Sequence, residues 1–302
     1  MPRDVPRKTQ GLTVALTATI LVFGGLSARA ASDERSAARG AYLAAAAGCD
    51  QCHTDAKNGG QPYAGGRALE TPFGIIVTPN ITPDRETGIG QWSLGDFTWA
   101  LRWGIAPDDS HYLPAFPFVF YSRLSDRDLV DLKAFLDSVP AVSRVNAARL
   151  SGIFAAARTR GAIIAVAECF PGPSQPDTTK DPDWNRGGYL VASVGRCGDC
   201  HTPRNWLGAL DTARQLAGTS AGPGGKAVPN ITPDRETGIG RWSKGDIMAL
   251  LKDGQTPDFD FVGGAMTEIV KNTTRLTDAD RGAIATYLQS LPAIRSESKA
   301  DH

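Results

Sequence analysis

The stretches CDQCH at 49–53 and CGDCH at 197–201 decide how this chain is read. Each places two cysteines three residues apart and a histidine directly after the second. Around them the chain repeats itself. PNITPDRETGIG occurs at 79–90 and again, letter for letter, at 229–240, followed by QWSLGD and RWSKGD. Upstream, ARGAYLAAAAGCDQCHT answers NRGGYLVASVGRCGDCHT. Downstream, LSDRDLVDLKAFLDSVPAV answers LTDADRGAIATYLQSLPAI. One unit of about 110 residues is therefore used twice, and a repeat outranks any local signal in setting the architecture.

Three known uses of paired cysteines fail here. Zinc ribbons bring their C-x-x-C pairs within about 15–20 residues of each other, a far shorter gap than this one. Thioredoxin-like motifs need a βαβ context, which is absent. Structural disulfides do not explain a histidine after both pairs. The remaining reading is covalent haem: thiols of Cys49 and Cys52, and of Cys197 and Cys200, add across vinyl groups, while His53 and His201 reach the iron. Two covalently attached haem c groups are expected.

The rest of the composition bounds the setting. The chain has 302 residues, 41% hydrophobic and 21% charged, with a formal net charge of zero. That length suggests about two domains, and the neutral balance excludes a nucleic-acid binder. Residues 1–30 read as a secretory signal peptide: Arg3, Arg7 and Lys8, an apolar run from Gly11 to Leu26, then Ala28-Arg29-Ala30. An uncleaved anchor is the alternative, but the run is short against the ~20 residues of a spanning helix. Without Arg3, Arg7, Lys8, Arg29 and Asp4 the remainder carries a net charge near −3. The expected location is periplasmic.

Each unit reads as mainly helical. Helices are predicted over 34–47 and 184–195. Ser93 with Asp96, and Ser243 with Asp246, resemble capping boxes, and Ser125/Asp128 and Thr277/Asp280 repeat the pattern. Leu129, Leu132, Phe135 and Leu136 fall at helical spacing, as do Ile284, Tyr287, Leu288 and Leu291. Pro140 and Pro292 close both helices, and the Gly- and Pro-rich 57–91 and 202–241 read as long ordered loops. The expected boundaries are a first domain over 31–140, a helical segment and linker over 141–182, and a second domain over 183–302. Within that segment LSGIFAAARTRGAIIAVAECF reads as a packed helix, with a membrane or partner contact as the alternative; Arg158 and Arg160 in its middle are costly in a bilayer.

These features together resemble the cytochrome c family, and the tandem resembles the dihaem and trihaem cytochrome c subunits of periplasmic alcohol- and gluconate-type dehydrogenases. The shared marks are the NIT-P-D-x-E-T-G-I-G-x-W-S loop, the RG-x-YL run before the haem motif and CHTPRN after the second. The likeness covers nearly all of 34–293, with two haem units rather than three. It implies an all-α fold of two tandem cytochrome c domains, each wrapped around its haem, and an electron-transfer protein or subunit rather than an enzyme in itself. Its donor would be a partner dehydrogenase and its acceptor a downstream cytochrome or oxidase, with peripheral membrane association compatible with such a role. The rival is a dihaem redox enzyme of thiosulfate dehydrogenase or peroxidase type; a haem sensor is disfavoured because no signalling domain is present.

The resemblance also implies distal iron ligands. Met266 lies where cytochrome c domains place their distal sulfur, giving His201/Met266. The 150-residue offset of the identical loops carries Met266 onto Phe116, which cannot bind iron. His111 in HYLPAFPF is then expected to complete His53/His111; an open iron capped by Phe116 and ligation by Cys169 are the alternatives. Cys169 otherwise reads as a buried small hydrophobe or an intersubunit bridge. Trp92 and Trp242 read equally as propionate donors or core aromatics, and Arg85 and Arg235 as solvated or as carboxylate partners. Asn80-Ile81-Thr82 is formally a glycosylation sequon, not expected to be used.

Overall fold

In the computed structural model, the residues described are 31–71, 74–113, 115–146, 172–206 and 208–296. The expected signal peptide, the apolar segment at 150–170 with Cys169, and His302 lie outside them. The described chain is mainly helical. Helix α1 (31–47) leads into the one-turn α2 (Cys49–His53), and after a long loop come α3 (Leu94–Trp103), α4 (Phe118–Tyr121) and α5 (Asp126–Ser138). In the second repeat α6 (Pro182–Tyr189) continues through a π turn at Leu190–Val194 into α7 (Cys197–His201), followed by α8 (Lys244–Asp253), α9 (Ala265–Thr273) and α10 (Asp278–Ser290). No helix among the described residues is long and apolar enough to cross a membrane.

The caps behave as their sequences predict. Ser93 Oγ accepts from the Asp96 N–H at 3.1 Å while the Asp96 carboxylate accepts from the Ser93 N–H at 2.8 Å. Ser243 and Asp246 do the same at 3.1 and 2.7 Å. Each such cap is worth about 1 kcal/mol, because the first N–H groups of a helix have no partner within it. Both helices stop at a left-handed glycine, Gly104 and Gly254.

The loop at 57–91 is not wholly irregular. Ala68–Thr71 (β1) pairs antiparallel with Gly74–Val77 (β2), Leu69 opposite Ile76 and Ala68 opposite Val77. The β-branched run Ile75-Ile76-Val77 favours a pleated ribbon. The second repeat has only the isolated bridge Thr219–Val228 at the corresponding place.

In each repeat the helix before the cysteines crosses the last helix at a glycine. A Cβ on Gly40 would stand 1.9 Å from the Asp131 carbonyl oxygen, and one on Gly187 would stand 2.0 Å from that of Ala283. The arginine beside each glycine clamps the crossing. Arg39 bonds Asp131 at 2.6 and 2.7 Å, and Arg186 bonds Asp280 at 2.8 and 2.7 Å. Leu43, Leu129 and Leu132 from the first repeat join one buried cluster with Leu190, Ile284 and Leu288 from the second.

The repeats also exchange contacts. The Tyr42 hydroxyl donates to Asp280 at 2.6 Å and accepts from the Thr277 N–H at 3.1 Å. Reciprocally, the Tyr189 hydroxyl donates to Asp128 and accepts from the Ser125 N–H at 3.1 Å. Each tyrosine thus completes the N-terminal cap of the other repeat's last helix.

The duplicated loops pin the chain beyond those helices. Asn80 Oδ1 accepts from the Thr82 N–H at 2.9 Å, and its amide donates to the Val142 carbonyl at 2.7 Å. Asn230 makes the same bonds to Thr232 and to the Ile294 carbonyl, at 2.9 and 2.7 Å. Asn80 is 3% exposed, so its sequon is buried and engaged.

Candidate haem sites

Both cysteine motifs fold as a single helical turn entered from a left-handed residue, Gly48 (φ 68°) or Arg196 (φ 52°). Helical spacing puts the two thiols of each pair on one face. Extended Thr54 and Thr202 end the turns immediately after the histidines. The four cysteines of these turns are half-buried. Burial pushes the Cys49 thiol up to about 12 and the Cys197 thiol up to about 11, so both are protonated near neutrality.

The imidazoles are held the same way twice. His53 Nδ1 lies 2.8 Å from the Pro79 carbonyl oxygen, and His201 Nδ1 lies 2.8 Å from that of Pro229. A carbonyl only accepts, so in each ring Nδ1 carries the proton and Nε2 presents its lone pair. Burial lowers the pKa of His53, further favouring the neutral ring. The histidine carbonyls are fixed as well: His53 accepts from the Gly65 N–H and His201 from the Gly218 N–H, both at 2.8 Å. Two adjacent thiols and one oriented imidazole are the donor set that covalent haem requires, and the chain supplies it twice.

Beyond α3 and α8 the two repeats keep register. Ile105 bridges His111, and Gln255 bridges Phe261. The Tyr112 N–H donates to the Gly104 carbonyl at 2.7 Å, and the Val262 N–H to that of Gly254 at 2.9 Å. Position 116 therefore answers position 266. Phe116 is half-buried against Tyr112 and Tyr121, with ring centroids 5.4 and 5.7 Å away. Met266 is half-buried in the first turn of α9, a helix where a loop is expected from its glycines. His111 is exposed and answers Phe261, not Met266. Met248 packs on the core, and Trp92 and Trp242 are half-buried against it, while Arg85 and Arg235 are exposed.

Several polar residues that join the first cysteine turn to the second repeat carry no signal in the sequence. Asp50 pairs with Arg275 at 2.8 Å. Gln51 donates to the Glu268 carbonyl at 2.6 Å and accepts from Asn272 at 3.1 Å. Only the tyrosines announce themselves, Tyr42 and Tyr189 occupying matched places in GAYL and GGYL.

No protein-family model matches the chain. It is 41% identical to a diheme cytochrome c-type protein of Cereibacter sphaeroides, over 90% of this chain and 89% of that one. It is 39% identical to the fructose dehydrogenase cytochrome subunit of Gluconobacter japonicus, covering 93% of this chain and 60% of the subunit. Against the gluconate 2-dehydrogenase cytochrome c subunit of Pantoea cypripedii, identity is 39% over 90% of this chain and 64% of the subunit. The chain thus spans nearly all of the dihaem relative and about three fifths of the dehydrogenase subunits. With two complete cysteine–histidine donor sets and a full-length dihaem relative, the chain carries two haem c groups and belongs to the dihaem c-type cytochromes.

Proposed function

We propose that this chain is an exported, periplasmic electron relay that accepts single electrons from a partner dehydrogenase and passes them to a downstream cytochrome or oxidase. The observation that carries the reading is the duplicated turn in which His53 and His201 each fix Nδ1 on a proline carbonyl at 2.8 Å. The names of the relatives support a dehydrogenase as donor.

Haem, when bound, supplies the one-electron chemistry. The residues of the chain hold and tune it. Cys49 and Cys52, and Cys197 and Cys200, provide the thioether attachments, and His53 and His201 the proximal nitrogens. Met266 would complete the second centre and His111 the first. A thioether ligand raises the potential, so the second centre is the higher and electrons run downhill within one chain from first to second. The tandem domains at 31–140 and 183–302 give the relay its two stations, and a signal peptide over 1–30 gives its route of export.

Mass spectrometry of the denatured mature protein should find the chain from about residue 31 plus two haems; a mass lacking either refutes the attachment residues. Met266→Ala should abolish the sulfur-to-iron charge-transfer band. His111→Ala should turn the first haem high-spin and leave the second unchanged. One observation favours a second reading: His111 is exposed and Phe116 stands in the methionine position. If the wild-type first haem already binds carbon monoxide, that centre is open and a catalytic role in a redox enzyme replaces the bis-histidine relay.

A further inference from the structure

Arg196 is the residue that the duplication does not account for. It precedes Cys197 and starts the second cysteine turn at φ 52°, where the first repeat has Gly48 at φ 68°. A left-handed backbone suits glycine and strains arginine. Such strain persists when the side chain is held by its surroundings.

The surroundings here belong to both repeats. The Arg196 side chain is 19% exposed. One terminal nitrogen donates to the Ala47 carbonyl at 3.4 Å, two residues before Cys49. The other faces Asp199, between Cys197 and Cys200, at 3.5 Å. Its guanidinium carbon lies 5.6 Å from the Tyr121 ring centroid, an electron-rich face from the first repeat. The Nε–H is buried without a protein partner among the described residues. Asp199 offsets the guanidinium charge incompletely, because Arg204 also claims its carboxylate at 2.6 Å.

The geometry points to Arg196 as a shared electrostatic tuning residue, one buried cation set between the two haem-attachment turns that raises the reduction potential of both haems. Reduction adds one electron to each centre, so a fixed positive charge beside both favours both reduced states. Guanidinium stays charged at every working pH, and burial shields it from salt. The assignment rests on the attachment residues proposed above.

The test is a spectroelectrochemical titration of the purified haem-loaded protein, its two haems first verified by mass. Arg196→Gln should lower the reduction equilibrium constant of both haems by about tenfold, ~59 mV each, at low and at high salt. Arg196→Lys, which keeps the charge, should restore most of that loss. Asp199→Asn, which removes the opposing charge, should move the second haem in the opposite direction. The inference is overturned if Arg196→Gln carries both haems yet leaves both potentials unchanged, or shifts only the second. If Arg196→Gln does not accumulate in haem-loaded form, Asp199→Asn decides: unchanged potentials there overturn the inference as well. A wild-type protein lacking a haem would instead refute the attachment residues.

Discussion

Gly187 offers a case in which two physical effects predict opposite signs for one methyl group. Gly187 sits inside α6, and alanine in an unhindered helix is favoured over glycine by about 1 kcal/mol. Here the added Cβ would stand 2.0 Å from the Ala283 carbonyl oxygen and 2.8 Å from the Tyr287 Cβ. The first is backbone inside α10 and cannot swing aside, so the two helices must part by about an ångström, loosening the buried contacts around Leu190 and Ile284. Overpacking of this kind costs about 3 kcal/mol, the upper end of its usual range, leaving a net loss of about 2 kcal/mol. For a chain of this size, at about 2.1 cal/mol/K of unfolding entropy per residue, that is roughly 3–4 °C in Tm. Gly282, in the facing helix α10, supplies the control: its Cβ would meet Lys244 Cε at 3.4 Å and Met248 Sδ at 3.8 Å, both ends of flexible chains. Gly282→Ala should therefore stabilise by about 0.5–1 kcal/mol. Urea unfolding of the haem-loaded variants, followed by far-ultraviolet circular dichroism, measures both. If Gly187→Ala is as stable as the wild type, the close crossing is wrong and helix propensity decides the sign.

Two further outcomes follow from the buried polar groups. Asn230→Ala leaves the buried Thr232 N–H without its acceptor and removes one of two donors to the Ile294 carbonyl, the Thr232 hydroxyl being the other, costing about 1–3 kcal/mol; a change below about 0.5 kcal/mol in the same urea experiment would refute the staple. Burial raises the carboxyl pKa of Asp131 and Asp280, but the bonds from Arg39 and Ser36 to the one, and from Arg186 and Tyr42 to the other, outweigh it and hold both below the usual range. A folded pKa below the unfolded value of ~3.9 means stability present above that value and lost as pH falls through the folded one. The urea midpoint should drop on acidification below about pH 4, and less steeply in Asp131→Asn than in wild type.

What was legible in the sequence is what acts over a few residues. Ser93 and Ser243, each with an aspartate three positions on, predict caps that form, and Pro140 and Pro292 lie just beyond helices that end at Ser138 and Ser290. The cysteine motifs and the duplicated loop identify the cofactor for the same reason: their chemistry is written in contiguous letters. The β1–β2 ribbon was missed because glycines and prolines around Ile75-Ile76-Val77 hide a short apolar run. The clamp on the helix crossing was harder still. Arg186 takes Asp280, but Arg39 takes Asp131 and not Asp128, the aligned aspartate one turn earlier. The second repeat has Ala283 where the first has Asp131, so only Arg39 has a further carboxylate within its reach.

That displacement shows how a duplicated frame accommodates unlike contents. The exchange of Tyr42 and Tyr189 is reciprocal, so each last helix has its cap completed by the opposite repeat and neither repeat has a finished boundary alone. A frame held from both sides tolerates local departures, and the departures fall around the cysteine turns and the facing loops. Gly48 answers Arg196, Phe116 answers Met266, and His111 answers Phe261. At Gly48 the near-contact comes from Asn272, whose amide nitrogen would stand 2.3 Å from an added Cβ, so an arginine fits on only one side of the interface. A thioether at position 266, where the first repeat has Phe116, makes two similar frames chemically unequal, whereas Arg196, reaching both cysteine turns, is common to them.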